Sequence, residues 1–139
     1  MQVGEIMSTP VITIGGEATL EDAVAEMLSN RVGSVLVVEQ GLWGIITRSD
    51  ILRALHGGTA TLADLDAKTV MTADVVTIES TAAVETALRL METHQIKKLP
   101  VVETFELEGI VTATDIARHQ PKRVREVRET IQRRDEWTD

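Results

Sequence analysis

Apolar and polar positions along this chain switch between a helical and a strand-like spacing, and the whole sequence of switches occurs twice. Val11–Ile14 is a short β-branched run and predicts a first strand. Leu20, Ala23, Val24, Met27 and Leu28 follow i, i+3, i+4, i+7, i+8, which predicts a helix with one apolar face. Thr19, just ahead of it, has the side chain of an N-cap. Val35–Glu39 and Leu42–Thr47 are apolar runs on either side of Gln40-Gly41 and predict a tight hairpin. A second helix starts near Ser49 and stops at His56-Gly57-Gly58, where glycine ends it.

The second pass has the same grammar. Val75–Ile78 predicts a strand, and Val84, Ala87, Leu88 and Met91 predict a helix. Leu99–Glu103 and Leu107–Thr112 predict a hairpin, and a helix follows near Thr114. A shift of 64 residues superposes Met7 on Met71, Val11 on Val75, Thr13 on Thr77, Ile14 on Ile78, Ala23 on Ala87 and Met27 on Met91. Beyond the hairpin turn one extra residue moves the shift to 65, and Leu42, Gly44, Ile45, Thr47, Asp50 and Ile51 then meet Leu107, Gly109, Ile110, Thr112, Asp115 and Ile116. So many identities in one order with a single gap define an internal repeat of a βαββα unit.

The expected fold class is therefore α+β: two βαββα repeats over residues 1–58 and 70–119, a linker over 59–69 and a helical tail over 120–139. A unit of about 60 residues buries only roughly 60% of its unfolded surface, so two such units have reason to pack together. Thr59–Thr69 links the copies, and Pro121 breaks the chain before a final helix near 124–134.

Composition narrows the chemistry. The net charge is −8, and residues 1–117 carry 7 basic and 17 acidic side chains against 7 and 5 in residues 118–139. An acidic body repels nucleic acid and anionic membranes, so neither is an expected partner. One Phe, two Trp and no Tyr leave almost no platform for stacking bases. Without cysteine there is no disulfide, thiolate metal site or thiol nucleophile. His56, His94 and His119 are far apart with no paired carboxylates, and read as surface or capping residues rather than metal ligands. No phosphate-loop or nucleophile-elbow signature occurs. No apolar run approaches the roughly 20 residues of a membrane span, and the amino end lacks a signal-peptide pattern. These features predict a non-catalytic cytoplasmic protein. In the tail, Val124, Val127 and Ile131 are spaced i, i+3, i+7 among arginines and glutamates, a pattern suited to packing on the body or on a second subunit.

One motif closes each copy: Gly44-Ile45-Ile46-Thr47-Arg48-Ser49-Asp50 and Gly109-Ile110-Val111-Thr112-Ala113-Thr114-Asp115. Thr-x-x-Asp at a helix start is a capping arrangement, with the carboxylate near the positive helix end. The same placement at a strand-to-helix junction suits a carboxylate that accepts ribose hydroxyls, beside a hydroxyl and backbone N–H groups that meet phosphate. The two roles are compatible.

With strand, helix, strand, strand, helix in that order, this motif, and Ile96-Lys97-Lys98-Leu99-Pro100-Val101-Val102 on the second middle strand, residues 3–119 resemble a pair of CBS (cystathionine-β-synthase-type) domains. The resemblance implies that the repeats pack by pseudo-twofold symmetry through their sheets and form two clefts. Such clefts take adenosine-containing ligands, among them AMP, ADP, ATP and S-adenosylmethionine, as regulatory ligands rather than cofactors. It further implies a homodimer that senses the ligand and signals to a protein partner. By the same resemblance, one cleft combines Thr47, Arg48, Ser49 and Asp50 with Val76, Ile96 and Lys97, and Lys98 is a second phosphate-facing cation. The other combines Thr112, Thr114 and Asp115 with Ile12, Val32 and Gly33. Gly33 and Ser34 stand where Lys97 and Lys98 stand in the second copy, so the Asp50 cleft is expected to take the more highly charged ligand. Leu36 replaces Pro100 in the first copy, a departure from the family pattern. The bland alternatives are a solvated, aggregation-resistant strand edge for the two lysines and a purely structural or dimerisation module for the chain.

Overall fold

The structure, a computed structural model, describes residues 1–119; the expected tail over 120–139, with its helix near 124–134, lies outside the described residues. In chain order the elements are β1 (Thr13–Gly15), α1 (Leu20–Asn30), β2 (Ser34–Val38), β3 (Leu42–Thr47), α2 (Arg48–Leu55), α3 (Ala67–Val70), β4 (Thr72–Ala73), α4 (Val84–His94), β5 (Lys98–Glu103), β6 (Glu106–Thr112) and α5 (Ala113–Ala117). Single helical turns at Val3–Glu5 and Leu62–Asp64 precede the first strand and α3. The mixed α+β class and the doubled order of strand, helix, hairpin and helix agree with the sequence pattern.

The described residues form two compact units, one of residues 12–75 and one of residues 1–11 together with 76–119. In the first, β1 pairs parallel with β2, β2 antiparallel with β3, and β3 antiparallel with β4. Ile14, Leu20, Ala23, Met27, Val35, Val37, Ile46, Ile51 and Ala67 form its core. Thr19 caps α1 as expected: its amide donates to Asp22 Oδ2 (2.9 Å) and its hydroxyl accepts from Asp22 N (3.2 Å). The apolar stripe of α1 is narrower than the sequence spacing suggests, since Leu28 is 75% exposed. Its counterpart in the second copy is Glu92, so position 28 belongs to the solvent face in both copies.

The second unit repeats this order, with bridges in place of the two short strands. β5 pairs antiparallel with β6, Ile78 bridges Val101 in parallel, and Ser8 bridges Ile110 antiparallel. Val3, Ile6, Val84, Ala87, Leu88, Met91, Leu99, Val101, Val111 and Ile116 are among its core residues.

The segment that leads into each repeat docks on the other repeat. Val3 N donates to Ala82 O (2.9 Å), Gly4 N to Ser80 O (2.8 Å), and Val84 N to Met1 O (3.0 Å), which ties the amino end to the start of α4. Sixty-four residues later the linker does the same to α1, with Leu20 N donating to Leu65 O and Ala67 N to Ala18 O (both 2.9 Å). Val3 and Ala67, the equivalent anchors, are both fully buried. The compact units therefore cut across the repeats as written in sequence: residues 1–11 belong with the second repeat, and 59–75 with the first. Lys68 adds a further hold on the linker, lying 4.5 Å from the centroid of the Trp43 ring and 3.1 Å from Glu39 Oε2.

Both hairpins carry the same irregularity. Val37 pairs with Gly44 but Val38 with Leu42, which leaves Trp43 as the extra residue of a bulge; Glu108 is left over in the same way between Gly109 and Leu107. The motif glycine beside each bulge has a steric cause. A Cβ on Gly44 would lie 2.6 Å from Met71 Sδ and 2.8 Å from Thr72 O, and one on Gly109 would lie 2.7 Å from Met7 Sδ and 3.0 Å from Ser8 O. The docking segment runs directly over the glycine, so no side chain fits there.

Overpacking at such a contact costs roughly 1–3 kcal/mol. Gly109→Ala and Gly44→Ala are each expected to lower unfolding free energy by that order in urea titrations, and an unchanged midpoint would remove the close-approach explanation. The linker turn also predicts a pH effect. Thr61 donates to Asp64 Oδ2 from its amide (3.0 Å) and hydroxyl (2.9 Å), and these bonds hold the Asp64 carboxyl below its usual range. A carboxyl lowered on folding stabilises above its unfolded pKa and loses that contribution as pH falls through the folded one. Asp64→Asn should thus melt below wild type at neutral pH, and the gap should close in acid.

Candidate functional site

Each Thr-x-x-Asp motif folds as its local chemistry dictates. Thr47 is extended (φ −111°, ψ 170°) at the end of β3 and is the N-cap of α2. Its amide donates to Asp50 Oδ2 (2.9 Å), its hydroxyl lies 3.1 Å from the same oxygen, and Asp50 N approaches the Thr47 hydroxyl at 3.4 Å. Thr112 caps α5 likewise, donating from its amide to Asp115 Oδ2 (2.9 Å) and accepting from Asp115 N at its hydroxyl (3.0 Å). The capping reading of the motif is thus fulfilled in both copies. It fixes one oxygen of each carboxylate and leaves the other, Oδ1, to be used elsewhere.

That second oxygen meets a hydroxyl that the sequence reading did not single out. Ser8 Oγ donates to Asp115 Oδ1 at 3.1 Å, and Thr72 Oγ1 approaches Asp50 Oδ1 at 3.4 Å. Ser8 and Thr72 are 64 residues apart and each follows one of the matched methionines, Met7 and Met71. Two hydroxyl residues in register were the available signal, but identity matching passes over a Ser–Thr pair. The two junctions also differ. Asp115 is buried (7% exposed), whereas the Asp50 side chain is 11% exposed and is also reached by the guanidinium of Arg53 at 3.4 Å. Ser49 is buried at 5% exposure, while Arg48 and Thr114 are exposed.

The other expected site residues lie close by along the strands. Ser34 is the register partner of Thr47, so Val32 and Gly33 enter β2 beside the Asp50 junction, and Ile12 O accepts from Leu36 N on β2 (3.0 Å). In the second unit Lys98 is the partner of Thr112, Lys97 O accepts from Ala113 N (2.8 Å), and Ile96 and Val76 pack against the core. Within one unit, then, Val32 and Gly33 accompany Thr47–Asp50, and Ile96, Lys97 and Lys98 accompany Thr112–Asp115. The crosswise combinations implied by the family resemblance draw on residues of the two different units. Among the described residues no group of three or more His, Asp or Glu side chains could hold a metal ion, and no helix is long and apolar enough to cross a membrane.

A fold of two hairpin-and-helix units, each closed by a capped Gly-h-h-Thr-x-x-Asp junction, defines the class. The chain belongs to the CBS domain family, whose model matches residues 3–57 and again 67–122. It is 36% identical over 120 residues to the CBS domain-containing protein YhcV of Bacillus subtilis, covering 85% of this chain and 84% of that one. It is 32% identical over 125 residues to Hypoxic response protein 1 of Mycobacterium tuberculosis, again covering 85% and 84%. Among solved structures it is similar to the CBS domain pair of protein MJ0100 in complex with 5′-methylthioadenosine and S-adenosyl-L-methionine. There the TM-score is 0.76 at 28% identity, over 85% of this chain and 94% of that one.

The two hydroxyl contacts are not equal in energy. Removing a donor from a buried acceptor costs on the order of 1–2 kcal/mol, and a long exposed bond contributes far less. Ser8→Ala is expected to destabilise the protein by that amount and Thr72→Ala by under about 0.5 kcal/mol. Chemical denaturation that ranked them the other way would show that the shorter contact to Asp115 does not govern.

Proposed function

We propose that this chain is a non-catalytic regulatory module that binds an adenosine-containing ligand, AMP, ADP, ATP or S-adenosylmethionine, at its Thr-x-x-Asp junctions and passes the change to a protein partner, acting as a homodimer. The observation that carries this reading is the state of the two carboxylates. Oδ2 of each is committed to the helix cap, while Oδ1 already faces a hydroxyl donor, Ser8 or Thr72. An oxygen held to accept from a hydroxyl is what vicinal ribose hydroxyls require. A module of this kind signals only as far as the ligand prefers one conformation over another. Support comes also from the MJ0100 domain pair, which is similar in fold and was solved with two adenosyl ligands.

The two junctions are proposed to differ in ligand. Arg48 adjoins Asp50, and by family resemblance Lys97 serves the same ligand, so the Asp50 site takes the more highly charged nucleotide. The Asp115 site, with Ile12, Val32 and Gly33 as its proposed companions, either stays empty or favours an uncharged adenosyl group. Calorimetric titration of wild type, Asp50→Ala and Asp115→Ala with AMP, ATP and S-adenosylmethionine tests this. Asp50→Ala should weaken ATP at least about tenfold, or 1.4 kcal/mol, and Asp115→Ala should spare it. Lys97→Ala combined with Asp50→Ala should lose less than the sum of the single effects if both serve one ligand. Coupling of Lys97 to Asp115 instead would reassign it to its own unit. Saturation at 100-fold over Kd should stabilise the protein by about 2.7 kcal/mol. A melting temperature unmoved by all three ligands would leave a purely structural module.

A further inference from the structure

The two junction carboxylates differ in how their second oxygen is held. Asp115 is 7% exposed, and its Oδ1 takes the Ser8 hydroxyl at 3.1 Å. Asp50 Oδ1 is shared between Thr72 Oγ1 and Arg53 Nη1, both at 3.4 Å, which is long for a hydrogen bond. The hydroxyl donors differ as well. The backbone of Ser8 is fixed, since Ser8 N donates to Ile110 O (2.8 Å) and Ile110 N donates to Ser8 O (3.1 Å). Its side chain is exposed, so the hydroxyl can turn to water by rotating χ1 while the segment stays docked. Thr72 is fixed alike, opposite Ile45, but a β-branched side chain is stiff at χ1. Turning away costs the Ser8 hydroxyl little. The buried Asp115 oxygen that it leaves is costly to keep unpaired, and an incoming hydroxyl donor removes that cost.

We infer that Ser8 is a latch on the Asp115 junction: its hydroxyl occupies the oxygen that a ribose hydroxyl would take, and a ligand enters by displacing it. The inference rests on the adenosyl reading of these junctions and adds a specificity-determining residue to it. The latch keeps the acceptor aligned for a hydroxyl, and it sets a threshold that a ligand without one does not cross. Whatever the Ser8 bond adds to the stability of the free protein is subtracted from ligand affinity, because the bond is absent from the complex. The Asp50 junction, with its longer and shared contacts, has no comparable threshold.

The test titrates adenosine calorimetrically into the full-length chain carrying Asp50→Ala, so that the heat reports the Asp115 junction. Adding Ser8→Ala should tighten binding about fivefold or more, since the lost bond weakens the free protein and not the complex. Ser8→Val should do the same. Ser8→Thr, which keeps a hydroxyl in nearly the shape of valine, should restore the parental affinity. That pair carries the test if the alanine variant folds poorly, because the other copy already holds a β-branched residue, Thr72, at this position. The gain should vanish with dideoxyadenosine, which lacks both ribose hydroxyls, and with Asp115→Ala; a general loosening of the fold would give neither result. Unchanged or weaker adenosine binding in the hydroxyl-free variants overturns the latch, and so does a gain that persists with dideoxyadenosine. In either case, ATP binding by the chain with Asp50 intact leaves the adenosyl reading standing. Absence of binding by adenosine and ATP in every variant overturns both.

Discussion

The close passage of a leading segment over a motif glycine is the contact on which both units depend. At Gly109 the chain that passes is Met7-Ser8, and at Gly44 it is Met71-Thr72. Each passage adds an edge to a hairpin, supplies a hydroxyl to the capping carboxylate, and continues from a segment whose buried residue, Val3 or Ala67, sits at the start of the neighbouring helix. Glycine, threonine and aspartate in the repeated motif thus serve one local purpose before any ligand is considered. The glycine makes room, the threonine caps, and the aspartate joins the cap to the segment lying across it. A ligand that takes a carboxylate oxygen there would compete with, or recruit, a bond that helps hold the unit together, which is a direct route from occupancy to stability.

Much of this was legible in the residues. The repeat emerged from matched identities, the amphipathic helices from their spacing, and the capping boxes at Thr19, Thr47 and Thr112 from Thr-x-x-Asp. Periodicity fails where the chain departs from regular geometry. Trp43 and Glu108 are bulge residues, and strict alternation assigns a bulge residue to a face it does not occupy. Leu28 fits the apolar spacing of α1 and is nonetheless exposed, because spacing does not say how wide the buried stripe is. Nor does a local pattern reveal which repeat a segment docks on. The hydrogen bonds of Val3 to Ala82 and of Ala67 to Ala18 carry that information, and bonds between residues so far apart in sequence leave no periodic trace.

The two copies have diverged at their hairpin apices and at their junctions, while their cores remain interchangeable in kind. Ile14 and Ile78, Ala23 and Ala87, Met27 and Met91 occupy matching buried positions. By contrast Gln40-Gly41 became Thr104-Phe105 with one residue more, and Asp50, reached by Arg53, has as its counterpart Asp115, which no arginine is seen to reach among the described residues. Packing density tolerates little change at the first set of positions, and solvent tolerates much at the second.

The reciprocal exchange of leading segments has a topological consequence. A scission anywhere in residues 59–64 would leave two fragments that each still carry the other's outermost strand or anchor. Neither would then be a self-sufficient half, and each would remain complete only while holding on to its sibling. The covalent linker is therefore dispensable as a tether, and the interlocked edges would do its work.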